Sequence, residues 1–404
     1  MGKKYFWIIL TIIDLGLSIT LAQSAKVTAP LDNLNQENVE GSFSYNEIGT
    51  GENFNDEKIF EKAEGTFEYT IPDLNLPKIR TQDGTPLCQA FCPTVLAQFK
   101  YCKQAEIENC RDLPDSKRLS PLSMLAYRDN VNNPIKASMG SISSTGKRKT
   151  HEVMNSVSTA SPQYFFTEGC APFDQIAKKF DNDPNAIEAF RSILQSKFDR
   201  IKEKLKETEA SESSCPECIE LMNLINEGFF SKTNFYGFAK AIKKMEFNNF
   251  LYTFLFSQQA LSNNEVCNRI KLEKKIRANS FPTEPNTSLE NVFAQATEQL
   301  KKKNPVLLTH LCFTKSKTNG KCSAHCLVLT GEKTVRNKIT GEIVHLIKVH
   351  NSWDKKWQKD HSDGWVRADK LKSIVPTADD ETLRDAPKDR KNSFGYTISW
   401  FDED

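Results

Sequence analysis

"QDGTPLCQAFCPTVLAQF", residues 82–99, begins as an irregular Gly/Pro stretch, meets a cysteine at position 88 and continues as an apolar segment. The change of character after Leu87 predicts a loop that becomes a helix. A thiol at a helix N-terminus faces unpaired backbone N–H groups and the positive end of the macrodipole, and both favour the thiolate. Cys88 is therefore a candidate nucleophile.

The compartment supports a chemical role for that thiol. The chain starts with a basic tip at Lys3 and Lys4, an apolar run to about Ala22 and small residues at Ala22, Ser24 and Ala25. This is the layout of a cleaved secretory signal over residues 1–24, since Asp14 in the run would be unfavourable in hydrocarbon. No later stretch is apolar enough to cross a bilayer, so the mature chain is expected to be soluble, without stable membrane insertion, in an exported, oxidising compartment. There, eleven cysteines leave at least one sulfur outside intramolecular disulfides. A net charge of +2, from 54 basic and 52 acidic residues, argues against nucleic acid as a partner.

Composition divides the rest of the 404-residue chain. Residues 25–70 are acidic and aperiodic and read as a flexible extension or prosegment. Residues 71–170 hold short extended pieces, the Cys88 helix and a Ser/Gly/Lys loop. In 171–304, Ile187, Phe190, Leu194, Phe198, Ile201 and Leu205 recur at spacings of three and four, which predicts a charged amphipathic helix within a helical region. Residues 305–404 change to short β-branched or aromatic runs bounded by Gly, Asn and Asp, the mark of strands. The expected class is α+β, a helical part facing a β-rich part.

Two of those runs supply partners for Cys88. His325, in "GKCSAHCLVLTG", opens an apolar strand, and Asn351, in "IKVHNSWDKKWQKDHSDGW", ends another just before Trp353. A Cys–His pair attacks a carbonyl, and a side-chain amide orients the ring through its second N–H. The oxyanion needs fixed donors, which Gln82, six residues before Cys88, and the Cys88 backbone N–H can supply. Cys92 has Pro86 at the same offset and reads instead as half of a disulfide. His310, in a strand of its own, is a weaker alternative base, while His345 and His350 share the strand of Asn351. "CPEC" at 215–218 reads as a structural disulfide, because no second ligand pair at metal spacing accompanies it.

The segments "QDGTPLCQAF", "RLSPLSMLAYRD", "CSAHCLVLTG" and "VHNSWDKKWQKDHSDGWV" together resemble the landmark segments of papain-like cysteine peptidases, over roughly residues 71–170 and 296–370. The resemblance implies a papain-like two-lobed fold with a cleft between a helical lobe (71–170) and a β-rich lobe (305–404). It also implies Cys88 as nucleophile, His325 as base and acid, Asn351 as orienter, Gln82 as oxyanion donor, and Trp353 as a cover over the His–Asn bond. Thr85 stands where the family usually has a cysteine, Gln89 where it has an aromatic, and Pro93 lies early in the central helix. His325 lies 237 residues after Cys88, against about 130–150 in the family pattern, so residues 171–304 are expected to be a helical insertion. The implied function is an exported peptidase acting on peptide or protein substrates, with no cofactor and no metal. A papain-like scaffold without activity that binds a partner at the cell surface, and a thiol acyltransferase, are the alternatives.

Overall fold

A computed structural model describes residues 44–45, 48, 52–81, 88–128, 150–169, 171–173, 184–207, 215–229, 238–244, 246–247, 250, 269–283, 287–315, 322–353, 355–375 and 397–404. All of them belong to one unit, Phe43–Asp404. The signal segment and Gln82 lie outside the described residues. Within the unit the chain is mixed α+β, organised on a large antiparallel sheet.

The sheet is built on three long strands, β7 (Val306–Lys315), β8 (Cys322–Asn337) and β9 (Ile343–His350). They continue to β10 (Trp365–Arg367) on one side, and to β11 (Ile398–Glu403) and β6 (Ile276–Phe281) on the other, in the order β10-β9-β8-β7-β11-β6. Successive side chains of a strand point to opposite faces, and here both faces are covered. Leu307, Cys326, Val328 and Phe401 pack into a helical layer. Their neighbours Val306, Leu308, Leu327 and Leu329 join a second core, closed by α7 (Leu289–Lys301) and α9 (Ala368–Ser373). Ser288 caps α7 by accepting the Asn291 N–H through its side chain, which satisfies one of the orphan donors of the first turn.

The helical layer holds α1 (Cys88–Gln104), α2 (Pro121–Arg128), α3 (Thr150–Thr159), α4 (Pro184–Glu207), α5 (Pro216–Phe229) and α6 (Phe238–Lys244). The expected amphipathic helix is α4, whose Leu194, Phe198, Ile201 and Leu205 are all buried. Each contributes roughly 1.5–3 kcal/mol of hydrophobic stabilisation.

Two expectations about domain extent differ from this arrangement. Residues 25–70 are not a flexible extension throughout: β1 (Ser44–Tyr45) pairs with β7, while β2 (Phe60–Lys62) and β3 (Tyr69–Thr70) pair with β8. Ile48, Phe54, Phe60 and Ala63 are buried, too widely spaced to show a period but enough to hold the segment on the sheet. The region 171–304 is not wholly helical either. It also carries β5 (Arg269–Lys271), which pairs with β4 (Tyr164–Phe166), and it supplies β6 to the main sheet. Its helices α4–α6 share one apolar cluster with α1–α3.

Candidate active site

Cys88 is the first residue of α1. It carries a thiol rather than a disulfide and is half-buried. The helix lies against β8: Cys92, one turn beyond Cys88, is bonded to Cys326, and Cys326 Sγ lies 3.0 Å from the Cys88 carbonyl oxygen. The backbone amides of Gln89, Cys326 and Cys88 itself interact with the Cys88 sulfur. The thiol is thereby set beside the residue that follows His325.

His325 is buried at the start of β8, opposite Leu311 of β7. The pairing of β7 with β8 shifts register between Leu308 and Leu311, where His310 takes a positive φ of 63°, as at a bulge that re-aims neighbouring side chains. His325 Nε2 lies 2.8 Å from Asn351 Oδ1. A carbonyl oxygen only accepts, so with this amide orientation Nε2 carries the proton and Nδ1 is the basic nitrogen. The indole of Trp353 lies over the imidazole, with centroids 4.8 Å apart and planes inclined by 31°, and Phe313 meets both rings edge-on. The His–Asn bond is therefore shielded from water.

Asn351 follows directly on β9 and is fully buried. Its backbone N–H donates to Gln358 Oε1 at 3.4 Å, and Gln358 Nε2 donates to the carbonyls of Val349 and Asp363. Gln358 belongs to the short helix α8 (Lys355–Asp360). It reaches this position because position 364 is glycine: φ there is +95°, and an added Cβ would lie 1.9 Å from Gln358 Nε2 and 2.4 Å from Val349 O. The turn is also tied to the segment that leads into α1. Thr81 Oγ1 donates to Trp353 O at 3.0 Å, and His350 Nε2 donates to Pro77 O at 3.0 Å.

Burial dominates the electrostatics. It pushes the Cys88 thiol up to about 11, against the lowering effect of the backbone amides, and the His325 imidazole down to about 4, against the raising effect of the Asn351 bond. The helix N-terminus leads one to expect a stabilised thiolate, but desolvation outweighs it. At neutral pH each group, taken singly, is uncharged, and charge separation requires both to ionise together.

His325, Asn351 and Trp353 are thus gathered around one hydrogen bond, and Cys88 stands beside Cys326, the residue after His325, where α1 meets β8. Gln82 lies outside the described residues, while the Cys88 backbone N–H stands at the start of α1. The alternative histidines are engaged elsewhere: His310 Nδ1 with Thr309 Oγ1, His345 Nε2 with Glu332 Oε1, and His350 with Pro77 O. Cys215 and Cys218 form the disulfide expected of "CPEC", and Cys102–Cys110 forms another. The sequence shows Gly364 only as the Gly-Trp end of "VHNSWDKKWQKDHSDGWV" and gives no signal for Gln358; a glycine in "SDGW", free to take a positive φ, is the available sign. No family model matches the chain, and no curated protein matches it.

Proposed function

We propose that the protein is an extracytoplasmic cysteine peptidase of papain-like type, working through Cys88, His325 and Asn351 on peptide or protein substrates without a cofactor. The observation that carries the reading is the buried His325–Asn351 hydrogen bond under Trp353, with the Cys88 thiol packed beside the next residue of the same strand. In this reading the helical layer and the sheet act as the two walls of a papain-like cleft. The disulfides are in keeping with an oxidising compartment. Among the described residues no helix is long and apolar enough to cross a membrane.

The chemistry follows from the resting charges. As Cys88 Sγ attacks the scissile carbonyl carbon, its proton passes to His325 Nδ1, and the forming thiolate and imidazolium stabilise each other. The oxyanion is held by the Cys88 backbone N–H and the Gln82 side-chain amide. Collapse expels the amine, which takes the proton from His325 and leaves a thioester on Cys88. Water, deprotonated by His325, then attacks the thioester and restores the thiol. Asn351 keeps the ring in the tautomer that this sequence needs.

Incubation of the secreted chain with a quenched peptide library tests the proposal. The wild type is expected to cleave a subset of peptides, and Cys88→Ala to cleave none. Cleavage retained by Cys88→Ala, or absent from a folded wild type, refutes it. The inactive-scaffold reading draws on the same burial that keeps both groups neutral, and it requires the second result.

A further inference from the structure

We propose that the Cys92–Cys326 disulfide is a positioning element of this site, holding the nucleophile helix in register with the histidine strand so that its reduction uncouples Cys88 from His325. The proposal rests on the peptidase reading for its kinetic consequence and on connectivity for the rest.

Cys92 is four residues after Cys88, on the same face of α1. Cys326 is the residue after His325, on β8. One covalent bond across 234 residues of chain therefore joins the two elements that carry the reacting groups. The contact is close at both ends, since Cys326 Sγ lies 3.0 Å from the Cys88 carbonyl oxygen and the Cys326 backbone amide interacts with the Cys88 sulfur. By contrast, Cys102–Cys110 and Cys215–Cys218 bridge separations of only 8 and 3 residues.

The β7–β8 ladder does not run unbroken past His325, since its register shifts between Leu308 and Leu311, so the strap adds a constraint from α1 that the ladder does not supply. Misplacement of about 1 Å at such a site can lower turnover about 100-fold. A bond that limits the slide of α1 along β8 acts on the distance that proton transfer depends on.

Cys92 and Cys326 are 3% and 1% exposed, so a reductant reaches the bond only when α1 parts from β8. A dithiol such as dithiothreitol cleaves the bond by exchange: its thiolate bonds to one sulfur and displaces the other, and its second thiol then closes the cyclic disulfide. Two electrons pass to the protein, leaving thiols at Cys92 and Cys326. Reductant that keeps Cys88 as a thiol thus becomes inhibitory once it opens the strap, and activity passes through a maximum as dithiothreitol is raised.

The test compares the full chain with Cys92→Ala/Cys326→Ala, and with Cys102→Ala/Cys110→Ala as a control, since Cys102 lies roughly 21 Å from Cys88 along α1 at 1.5 Å per residue. Iodoacetamide alkylation of Cys88 from pH 4 to 10, and kcat and KM on a cleaved peptide, are measured for each. Loss of the strap is expected to lower kcat at least 10-fold with KM within twofold and to displace the alkylation pH profile; loss of the control bridge is expected to change neither beyond twofold. Where the double variant fails to fold, timed reduction of the native wild type replaces it, with reoxidation expected to restore both readouts. An unchanged alkylation profile after loss of the strap overturns the proposal. If the wild type cleaves no peptide, the peptidase reading fails, while the alkylation arm still decides the role of the disulfide.

Discussion

Asn351 Oδ1 accepts a 2.8 Å hydrogen bond from His325 Nε2 beneath the Trp353 indole. Removing the acceptor in Asn351→Ala leaves a buried imidazole N–H unpaired, which costs about 1–3 kcal/mol of stability. Under the peptidase proposal it also frees the ring to turn, and kcat/KM is expected to fall about 10- to 100-fold, part of what a general base supplies. Thermal unfolding and peptide turnover check the two effects; an unchanged kcat/KM would remove Asn351 from the mechanism.

Burial makes His325 a determinant of acid stability. Its folded pKa, about 4, lies below the ordinary value of 6.5, so on acidification the unfolded chain takes the proton first. Stability is expected to fall as pH drops from 6.5 towards 4, by on the order of 3 kcal/mol from this residue. His350 and His361 are also lowered by burial and add to the slope. Urea unfolding of the wild type and His325→Gln at pH 7 and pH 4.5 isolates the His325 part, and equal slopes in the two proteins would contradict the assignment.

Gly364 reaches the site through Gln358. A methyl group at position 364 would overlap Gln358 Nε2 and Val349 O, at a backbone φ of +95°. Gly364→Ala is expected to destabilise the protein by at least about 1–3 kcal/mol and to displace Gln358 from the Asn351 backbone. Under the peptidase proposal, the milder Gln358→Leu is expected to lower kcat while the chain stays folded. Full turnover in both variants would show that the Gln358 contacts do not position Asn351.

Gln89 is 3% exposed, and among the described residues neither polar atom of its side chain has a hydrogen-bond partner. A buried amide in that state carries a desolvation penalty of about 1–3 kcal/mol. Gln89→Met, similar in volume and without the amide, is expected to raise stability by about 1–2 kcal/mol, part of that penalty. Destabilisation of that size would mean that the amide has a partner in solution.

Legibility from sequence tracked the strength of local periodicity. The runs around Val306, Cys326, Ile343, Trp365 and Ile398 all became strands of the main sheet, because their β-branched and apolar alternation is pinned by burial on both faces. The α4 helix was legible through its four buried residues from Leu194 to Leu205. The strands β1–β3 were not, since each is only two or three residues long and is held by pairing with β7 and β8 rather than by a pattern of its own. Strand β6 was hidden by Arg277, Asn279 and Ser280, which make it look polar.

At the site, residue types and order pointed to Cys88, His325, Asn351 and Trp353, of which the structure joins His325, Asn351 and Trp353 directly, but they did not show what holds them. The partner of Cys92 lies 234 residues away, and pairing at that range leaves no local trace. The same is true of the thiol's electrostatics. The helix start is visible in the sequence, whereas the burial that outweighs it depends on packing against β8.

Under the peptidase proposal, Cys88 forms an acyl-enzyme and its proton passes to His325. Rapid acid quenching during turnover of a peptide ester, with intact-mass measurement and peptide mapping, tests it most directly. An acyl adduct is expected on the peptide that contains Cys88, absent from Cys88→Ala and strongly reduced in His325→Ala. Turnover with no adduct on Cys88, or an adduct formed equally well without His325, would contradict it.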